Sequence, residues 1–146
     1  MIALIQRVSA AEVQVGSERV GAIGRGVLAL IGVQRGYDTQ AGARLLERIL
    51  SYRVFPEGAG RMNLSLREVG GGLLLVPQFT LAADTGKGTR AGFSTAAAPE
   101  EAQRLFADLL ARAQAAYAPV SAGVFGAHMQ VSLVNDGPVT FLLTTR

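Results

Sequence analysis

Two short polar segments in this chain follow apolar runs and carry groups that could do chemistry. The first is Gln78-Phe79-Thr80, near the end of an apolar run over residues 73–81. At the end of a buried strand, consecutive backbone N–H groups beside a Gln amide and a Thr hydroxyl supply enough donors to hold the oxygen of a tetrahedral intermediate. The plainer alternative is a strand end at which the Gln and Thr side chains only satisfy neighbouring backbone groups.

The second segment is Asn-Asp-Gly-Pro-Val-Thr over residues 135–140. Its Gly137-Pro138 pair predicts a tight turn between two apolar runs. A trans peptide bond is the default before proline, whereas a cis bond would fix two carbonyl acceptors side by side. The residues alone do not decide between the two isomers.

Both segments resemble the signature motifs of the D-aminoacyl-tRNA deacylase family. Shorter stretches at residues 5–8 and 62–64, and Phe141, match in the same order and spacing, so the resemblance extends over the whole chain. It implies an enzyme that hydrolyses the ester joining a D-amino acid to transfer RNA. It also implies a homodimer that acts on the acceptor end of the charged RNA.

The resemblance assigns catalytic and binding roles to particular residues. It implies that the amides of Phe79 and Thr80, next to Gln78, bind the oxyanion while the 2′-hydroxyl of the terminal adenosine assists hydrolysis. Phe125 and Met129 match positions that line the pocket for that adenosine, where apolar side chains can stack against a base.

The resemblance also implies how the two hands of an amino acid are told apart. Gly137-Pro138 would be a cis bond inserted into the partner subunit's pocket, with its carbonyls accepting from the substrate's α-amino group. Arg7 would brace those carbonyls, and Asn135 and Thr140 would support the turn. An L side chain would collide with the turn, so D-aminoacyl and achiral glycyl esters would be accepted.

Two positions depart from the family pattern. Pro77 stands where the family has Ser, which excludes a Ser nucleophile there and removes a backbone donor. His128 stands where an acidic residue is expected, and its plainer interpretation is a partly exposed strand residue. Thr80 is the only hydroxyl of the first motif, and a covalent Thr80 mechanism is the minor alternative because no base lies near it in the sequence.

The composition bounds the class of protein. The chain has 146 residues, of which 49% are hydrophobic and 17% charged, which fits a single domain over residues 1–146 with apolar surface covered in a homodimer. The net charge of +3 is compatible with an RNA partner, but the arginines are scattered without a basic run, which is more typical of a solvated surface. Because the chain has no Cys and one His, disulfides, thiolate sites and His-rich metal centres are excluded, and we expect no metal.

We also expect no bound cofactor and no membrane partner. The Gly-rich stretches at residues 21–26 and 85–89 depart from the dinucleotide-binding and P-loop spacings. The first residues lack the basic and apolar regions of a signal peptide, and no apolar run reaches the ~18 residues of a membrane span. The sequence therefore predicts a cytoplasmic protein.

These motifs need elements to position them. Turn residues and loose alternation predict a three-stranded meander over residues 3–33, in which the apolar run 27–33 is covered on both faces. A helix capped by Asp38 or Thr39 is predicted to reach about Ser51, and a second helix covers residues 99–117. Further strands are predicted over residues 53–55, 73–81, 120–125, 129–134 and 139–144.

Two connections in the second half of the chain matter for the site. Residues 82–98 are polar and irregular, which indicates a substrate-side loop. Residues 135–138 are predicted to be the turn that joins the last two strands. The predicted fold is one α+β domain, in which two helices pack on a strongly curved, mostly antiparallel sheet that can close into a barrel.

Two other classes of function are compatible with the residues. One is a module that binds the RNA terminus, or another small ligand, without turnover. The other is an oligomerising structural protein whose apolar excess serves assembly alone. An enzyme would deacylate D-Tyr-tRNA and Gly-tRNA while sparing L-Tyr-tRNA, and neither alternative would do so.

Overall fold

The computed structural model describes residues 1–145, which fold as the predicted α+β class. The helices are α1 (Thr39–Ser51), α2 (Leu66–Val69) and α3 (Pro99–Ala116), and a 3-10 turn covers Phe79–Ala82. The strands are β1 (Ile2–Val15), β2 (Glu18–Ile23), β3 (Gly26–Gly32), β4 (Arg53–Glu57), β5 (Arg61–Ser65), β6 (Gly72–Pro77), β7 (Val120–Ala122) and β8 (Gln130–Thr144).

The long first strand organises the sheet. Residues 2–8 of β1 pair antiparallel with β3, and residues 11–15 pair antiparallel with β2. The predicted meander over residues 3–33 is therefore wrong, because β2 and β3 each pair with β1 and not with one another. β8 pairs antiparallel with β1 over most of its length. With 14 residues, β1 is long enough to accept two shorter strands one after the other.

The sheet curls back on itself. β3 and β6 pair in parallel, as do β6 and β7, which gives the order β2-β1-β3-β6-β7 with β8 beside β1. The Ser121 hydroxyl of β7 donates to the Ala22 carbonyl of β2 at 3.1 Å. Gly21 lies at this seam, where a Cβ would come within 2.7 Å of the Ala122 carbonyl oxygen. The predicted curved, barrel-like sheet is confirmed, and a residue without a side chain permits its near closure.

The central strands are buried on both faces, as the apolar run over residues 27–33 predicts. Successive side chains of a strand point to opposite faces. Leu73 and Leu75 of β6 pack in the cluster that lies under the helices, whereas Leu74 and Val76 pack with β1 and β3 in a second cluster. Apolar side chains on both faces fix β6, and with it the end of the strand that carries the first motif.

The helices cover one face of the sheet. Asp38 caps α1 by accepting from the Ala41 N–H at 3.1 Å, and Pro99 occupies the first turn of α3, as predicted. The short α2 lies outside the predicted elements and is held by a capping box between Ser65 and Glu68. No helix among residues 1–145 combines the length and the apolar character needed to cross a membrane.

Two predicted strands end early. The strand predicted over residues 73–81 stops at Pro77, and the chain then enters the 3-10 turn. The strand predicted over residues 120–125 stops at Ala122, although the Gly123 N–H still donates to the Leu75 carbonyl at 2.9 Å. The irregular segments that follow both strand ends line a cleft.

Candidate active site

A cleft with a volume of about 650 Å³ opens beside the carboxyl end of β6. Its walls come from the 3-10 turn, the loop before α3, the first turn of α3 and the segment between β7 and β8. Predominantly apolar walls with a few polar groups are typical of small-molecule sites. Gln78, Phe79, Phe125 and Met129 line the cleft together, so the structure unites these four predicted site residues.

The main chain turns sharply where the first motif begins. The Gln78 N–H donates to the Ile31 carbonyl at 2.7 Å, and the Leu81 N–H donates back to the Gln78 carbonyl at 3.2 Å. The N–H groups of Phe79 and Thr80 lie between them and open the 3-10 turn. The first N–H groups of a helical turn have no acceptor inside it. They can therefore donate to an oxygen of a ligand in the cleft.

Pro77 fits its place at the end of β6. β7 pairs only with residues 73–75 of β6, so its ladder has ended before Pro77 is reached. A proline at this position removes no N–H from that ladder. Pro77 is thus accommodated without breaking the β6–β7 pairing.

The Thr80 hydroxyl is exposed and accepts a hydrogen bond from the Gln78 side-chain amide. An amide N–H is a donor and cannot remove a proton, so this bond does not activate the hydroxyl as a nucleophile. Thr80 itself is not among the residues that line the cleft within the described chain.

Phe125 and Met129 belong to the irregular segment between β7 and β8. The Met129 thioether accepts from the Val124 N–H at 3.3 Å and lies over Gly123, where a Cβ would come within 2.8 Å of the sulfur. The wall position of Met129 is therefore fixed by main-chain packing. His128 is exposed and lines the same wall, but it lies in this irregular segment and not in the expected strand.

The second motif forms a bulge and not the predicted turn between two strands. β8 runs through the motif without reversing, and residues 136–139 all lie opposite Arg7 of β1. Extra residues on one strand make the main chain protrude from the sheet. The Gly137-Pro138 peptide bond is cis, and both residues are exposed at the tip of this bulge.

Arg7 ties the bulge to the rest of the domain. Its Nε donates to the Asp136 carbonyl and its Nη1 to the Val54 carbonyl of β4, both at 2.8 Å. The side chain of Arg7 is only 12% exposed. Gly137 has a φ of +142°, and a Cβ there would lie 3.1 Å from Arg7 Nη2. A glycine is required by both the backbone conformation and the nearby guanidinium.

Asn135 and Thr140 close the base of the bulge. The side-chain oxygen Oδ1 of Asn135 accepts from the Val139 N–H at 2.9 Å, and the side-chain Nδ2 of Asn135 donates to the Thr140 hydroxyl at 2.9 Å. Gln6 also donates to this hydroxyl, at 3.3 Å. The residues with predicted supporting roles therefore contact the bulge itself or its two ends.

The structure does not bring the two motifs together within one chain. Gly137 and Pro138 are not among the residues that line the cleft in the described part of the protein. One group of residues forms a cleft with main-chain donors, and the other forms a protruding bulge. Residues 1–145 contain no cluster of three or more His, Asp or Glu side chains placed to hold a metal ion.

Phe93 and Arg35 line the cleft although the motifs do not indicate them. The ring of Phe93 packs against that of Phe79 with 5.3 Å between centroids. Phe79 is 59% exposed and Phe93 is 47% exposed. The sequence signal for Phe93 is its isolation in a polar loop, because a phenylalanine there has no core position to occupy.

The chain matches the family model described as D-Tyr-tRNA(Tyr) deacylase over residues 4–144. A D-aminoacyl-tRNA deacylase from Thioalkalivibrio sulfidiphilus is 67% identical over 144 residues, covering 98% of this chain and 96% of the relative. A D-aminoacyl-tRNA deacylase from Alkalilimnicola ehrlichii is 63% identical over 146 residues, covering 100% of this chain and 97% of the relative.

Solved structures share the fold. One, described as "c-Myc DNA Unwinding Element Binding Protein", has a TM-score of 0.95 at 36% identity and covers 100% of this chain and 99% of its own. Another, described as "a probable eukaryotic D-amino acid tRNA deacylase", has a TM-score of 0.81 at 17% identity and covers 99% of this chain and 98% of its own. At that identity the second likeness concerns the fold alone.

Proposed function

Since the chain belongs to the D-Tyr-tRNA(Tyr) deacylase family and is a hydrolase that acts on the ester of D-aminoacyl-tRNA, we propose a mechanism for it in which main-chain groups do most of the work. The cleft beside β6 holds the terminal adenosine and its ester. A second copy of the chain supplies the bulge that selects the D substrate. The protein acts in the cytoplasm, where charged transfer RNA is used.

The oxyanion is held at the start of the 3-10 turn. An aminoacyl ester is already activated, so stabilising the tetrahedral intermediate and orienting the attacking group are sufficient for hydrolysis. The N–H groups of Phe79 and Thr80 are the donors, because they open the turn without an acceptor inside it. Gln78 fixes their direction, since its own N–H is bonded to the Ile31 carbonyl at 2.7 Å.

The attacking group is a water that the 2′-hydroxyl of the terminal adenosine helps to orient. The support for this assignment is that the first motif lacks a side-chain base. The hydrogen bond at the Thr80 hydroxyl comes from the Gln78 amide, which cannot deprotonate it. Pro77 carries no hydroxyl, so it offers no nucleophile either. The 2′-hydroxyl of the terminal adenosine, beside the ester, supplies the group that orients the water.

The adenine is held between the apolar walls of the cleft. Phe125 and Met129 lie on the same wall, and Phe125 offers an aromatic face. Stacking on aromatic and apolar side chains is a common way to hold a single-stranded RNA base. The single observation that carries the proposal is this meeting of a base-sized apolar cleft with main-chain donors at one strand end.

The bulge of one protomer enters the cleft of its partner. The exposed carbonyls of the bulge accept from the α-amino group of the substrate. Hydrogen bonds from Arg7 and to Asn135 hold the bulge in position. An L side chain would occupy the volume of the bulge, whereas a D side chain points away from it. Glycyl-tRNA has no side chain to collide and is therefore also hydrolysed.

The test is a deacylation assay with D-Tyr-tRNA, Gly-tRNA and L-Tyr-tRNA at equal concentrations. We expect rapid loss of the D-tyrosyl and glycyl esters and survival of the L-tyrosyl ester. Loss of all three at similar rates would contradict selection by the bulge. Survival of all three would contradict the enzyme and favour a module that only binds the RNA end.

A further inference from the structure

The loop between the 3-10 turn and α3 is anchored at its ends and projects from the edge of the cleft. The Thr95 hydroxyl donates to the Ala82 carbonyl at 2.6 Å. Asp84 and Gly92 exchange two main-chain hydrogen bonds, at 2.8 and 2.9 Å. Residues 85–91 between them are all exposed. The segment 84–92, called here the cleft loop, thus presents its tip to solvent from a fixed base.

Cationic side chains lie on the wall of the cleft and on the exposed tip of the cleft loop. Lys87 and Arg90 are on the tip of the cleft loop, and Arg35 lines the cleft while its N–H donates to the Thr95 carbonyl at 3.1 Å. Within residues 1–145 no carboxylate lies in salt-bridge distance of these three side chains. Exposed cations without an acidic partner, on a loop that joins two residues of the cleft wall, are suited to contact the phosphates of a bound RNA end.

The aromatic pair lies at the base of the same loop. Phe79 and Phe93 both line the cleft and keep about half of their surfaces exposed, at 59% and 47%. Neither ring is needed to close the core, and burying exposed apolar rings under a ligand is favourable. Proteins that bind single strands combine such rings with a cationic path along the backbone.

We propose that the Phe79–Phe93 pair and the cleft loop form a second nucleotide subsite, which holds the nucleotide that precedes the terminal adenosine. Its base stacks on Phe93, and its phosphates lie against Lys87, Arg90 and Arg35. The proposal rests on the proposed function, because it assumes an adenosine in the cleft. The subsite recognises a single-stranded terminus by stacking and charge, so it tolerates any base.

A series of shortened esters isolates this subsite. D-tyrosyl-adenosine fills the cleft alone, whereas D-tyrosyl-cytidylyl-adenosine adds one nucleotide and one phosphate. We expect the native protein to hydrolyse the dinucleotide ester with a kcat/KM about tenfold higher than that of the nucleoside ester. Phe93→Leu should remove most of that gain, so that the ratio of kcat/KM for the dinucleotide ester to kcat/KM for the nucleoside ester falls toward one. Phe93→Trp should preserve the ratio because an aromatic ring is retained.

The cationic part of the subsite is tested by salt. A plot of log kcat/KM for D-Tyr-tRNA against log salt concentration should have a negative slope. In Lys87→Ala/Arg90→Ala this slope should become less negative by roughly 0.7 for each phosphate that no longer contacts a cation. Arg112→Ala is the matched control, since Arg112 is paired with Asp108 on α3 at 2.7 Å, outside the cleft. Its slope should equal that of the native protein.

The outcomes separate the two proposals. Equal kcat/KM for the two esters in the native protein, or an equal loss on both esters in Phe93→Leu, would overturn the second subsite while leaving the enzyme intact. If the native protein hydrolyses neither ester nor D-Tyr-tRNA, the proposed function fails and the subsite falls with it. An unchanged salt slope in the double variant would overturn the phosphate contacts.

Discussion

At the scale of single residues, Gly137 carries a constraint that no other residue type satisfies. Its φ of +142° is unfavourable for L residues, and a Cβ would lie 2.7 Å from Val139 Cγ2. The same Cβ would lie 3.1 Å from Arg7 Nη2, and the guanidinium of Arg7 is itself held by the Asp136 and Val54 carbonyls. The position of the exposed tip of the bulge is thus fixed by residues that do not line the cleft of their own chain.

Gly137→Ala should therefore displace the bulge. We expect the ratio of kcat/KM for D-Tyr-tRNA to that for L-Tyr-tRNA to fall by at least about tenfold. Gly24→Ala is the matched control, because a Cβ at Gly24 meets no atom within 4 Å and its φ is not positive. A native ratio in the Gly137 variant would show that the bulge does not sense the hand of the substrate.

At the scale of elements, the loop over residues 82–98 forms one side of the cleft, and a few hydrogen bonds hold it in place. The hydroxyl of Thr95 joins the two ends of the loop at Ala82, which is buried. The Ala97 N–H donates to the Val33 carbonyl of the segment after β3 at 3.0 Å. The loop is irregular in secondary structure, but its ends are fixed to the sheet.

Thr95→Val should release the first of these anchors. The Ala82 carbonyl then loses its donor, and we expect the KM for D-Tyr-tRNA to rise by roughly three- to tenfold with a smaller change in kcat. Thr95→Ser keeps the hydroxyl and should keep the native KM. Equal KM values for the Val variant and the native protein would show that the loop position does not matter for binding.

Elements with strong local signals could be predicted from the sequence, and the exceptions have physical reasons. The apolar run 27–33 and the cap at Asp38 specify β3 and α1 through burial and a side-chain hydrogen bond. The Asn-Asp-Gly-Pro segment has the composition of a hairpin turn, yet pairing with β1 continues on both sides of it. A long partner strand therefore converts a predicted turn into a bulge, which composition does not reveal.

The site was predictable only in part for a similar reason. The parallel strands β6 and β7 end at the same edge of the sheet. The residues that follow them therefore meet in one cleft: Gln78, Phe79, Phe125 and Met129. The resemblance to a family indicated these residues. Phe93 belongs to no motif, and its place in the cleft depends on how the loop folds back on the 3-10 turn.

At the scale of the whole molecule, the sheet brings the two ends of the described chain together. The Thr145 N–H donates to the Met1 carbonyl at 3.0 Å, and the Met1 side chain is fully buried. Burial, with a smaller contribution from the nearby positive charge of Arg44, lowers the pKa of the Met1 amino group from 8.0 to about 6. The folded state thus disfavours the protonated amine.

This lowered pKa predicts that stability rises with pH. Below pH 6 the amine is protonated in both the folded and the unfolded chain, and the folded state carries the full cost of burying its charge. Above pH 8 the amine is neutral in both states, so this cost is absent. Between them the unfolded chain binds more protons, so the free energy of unfolding should increase by about 1–2 kcal/mol after solvent screening.

Urea unfolding at pH 5.5, 7 and 8.5 measures this change. His128→Gln should retain it, which excludes the only histidine as its source. A variant with two residues added before Met1 moves the amine into solvent and should reduce the increase. The same increase in that extended variant would contradict the assignment to the Met1 amine.

Complementation between two variants tests the central claim, that each cleft is completed by the bulge of the partner. Gly137→Ala/Pro138→Ala damages the bulge, and Phe125→Ala/Met129→Ala damages the cleft. Coexpressed in equal amounts, they form mixed dimers in which one site combines an intact cleft with an intact bulge. The account predicts that D-Tyr-tRNA deacylation by the mixture exceeds the mean of the two separate variants, by about a quarter of the native rate where both variants are inactive, and that this excess has native D/L selectivity. A rate no higher than the mean of the two separate variants would contradict it.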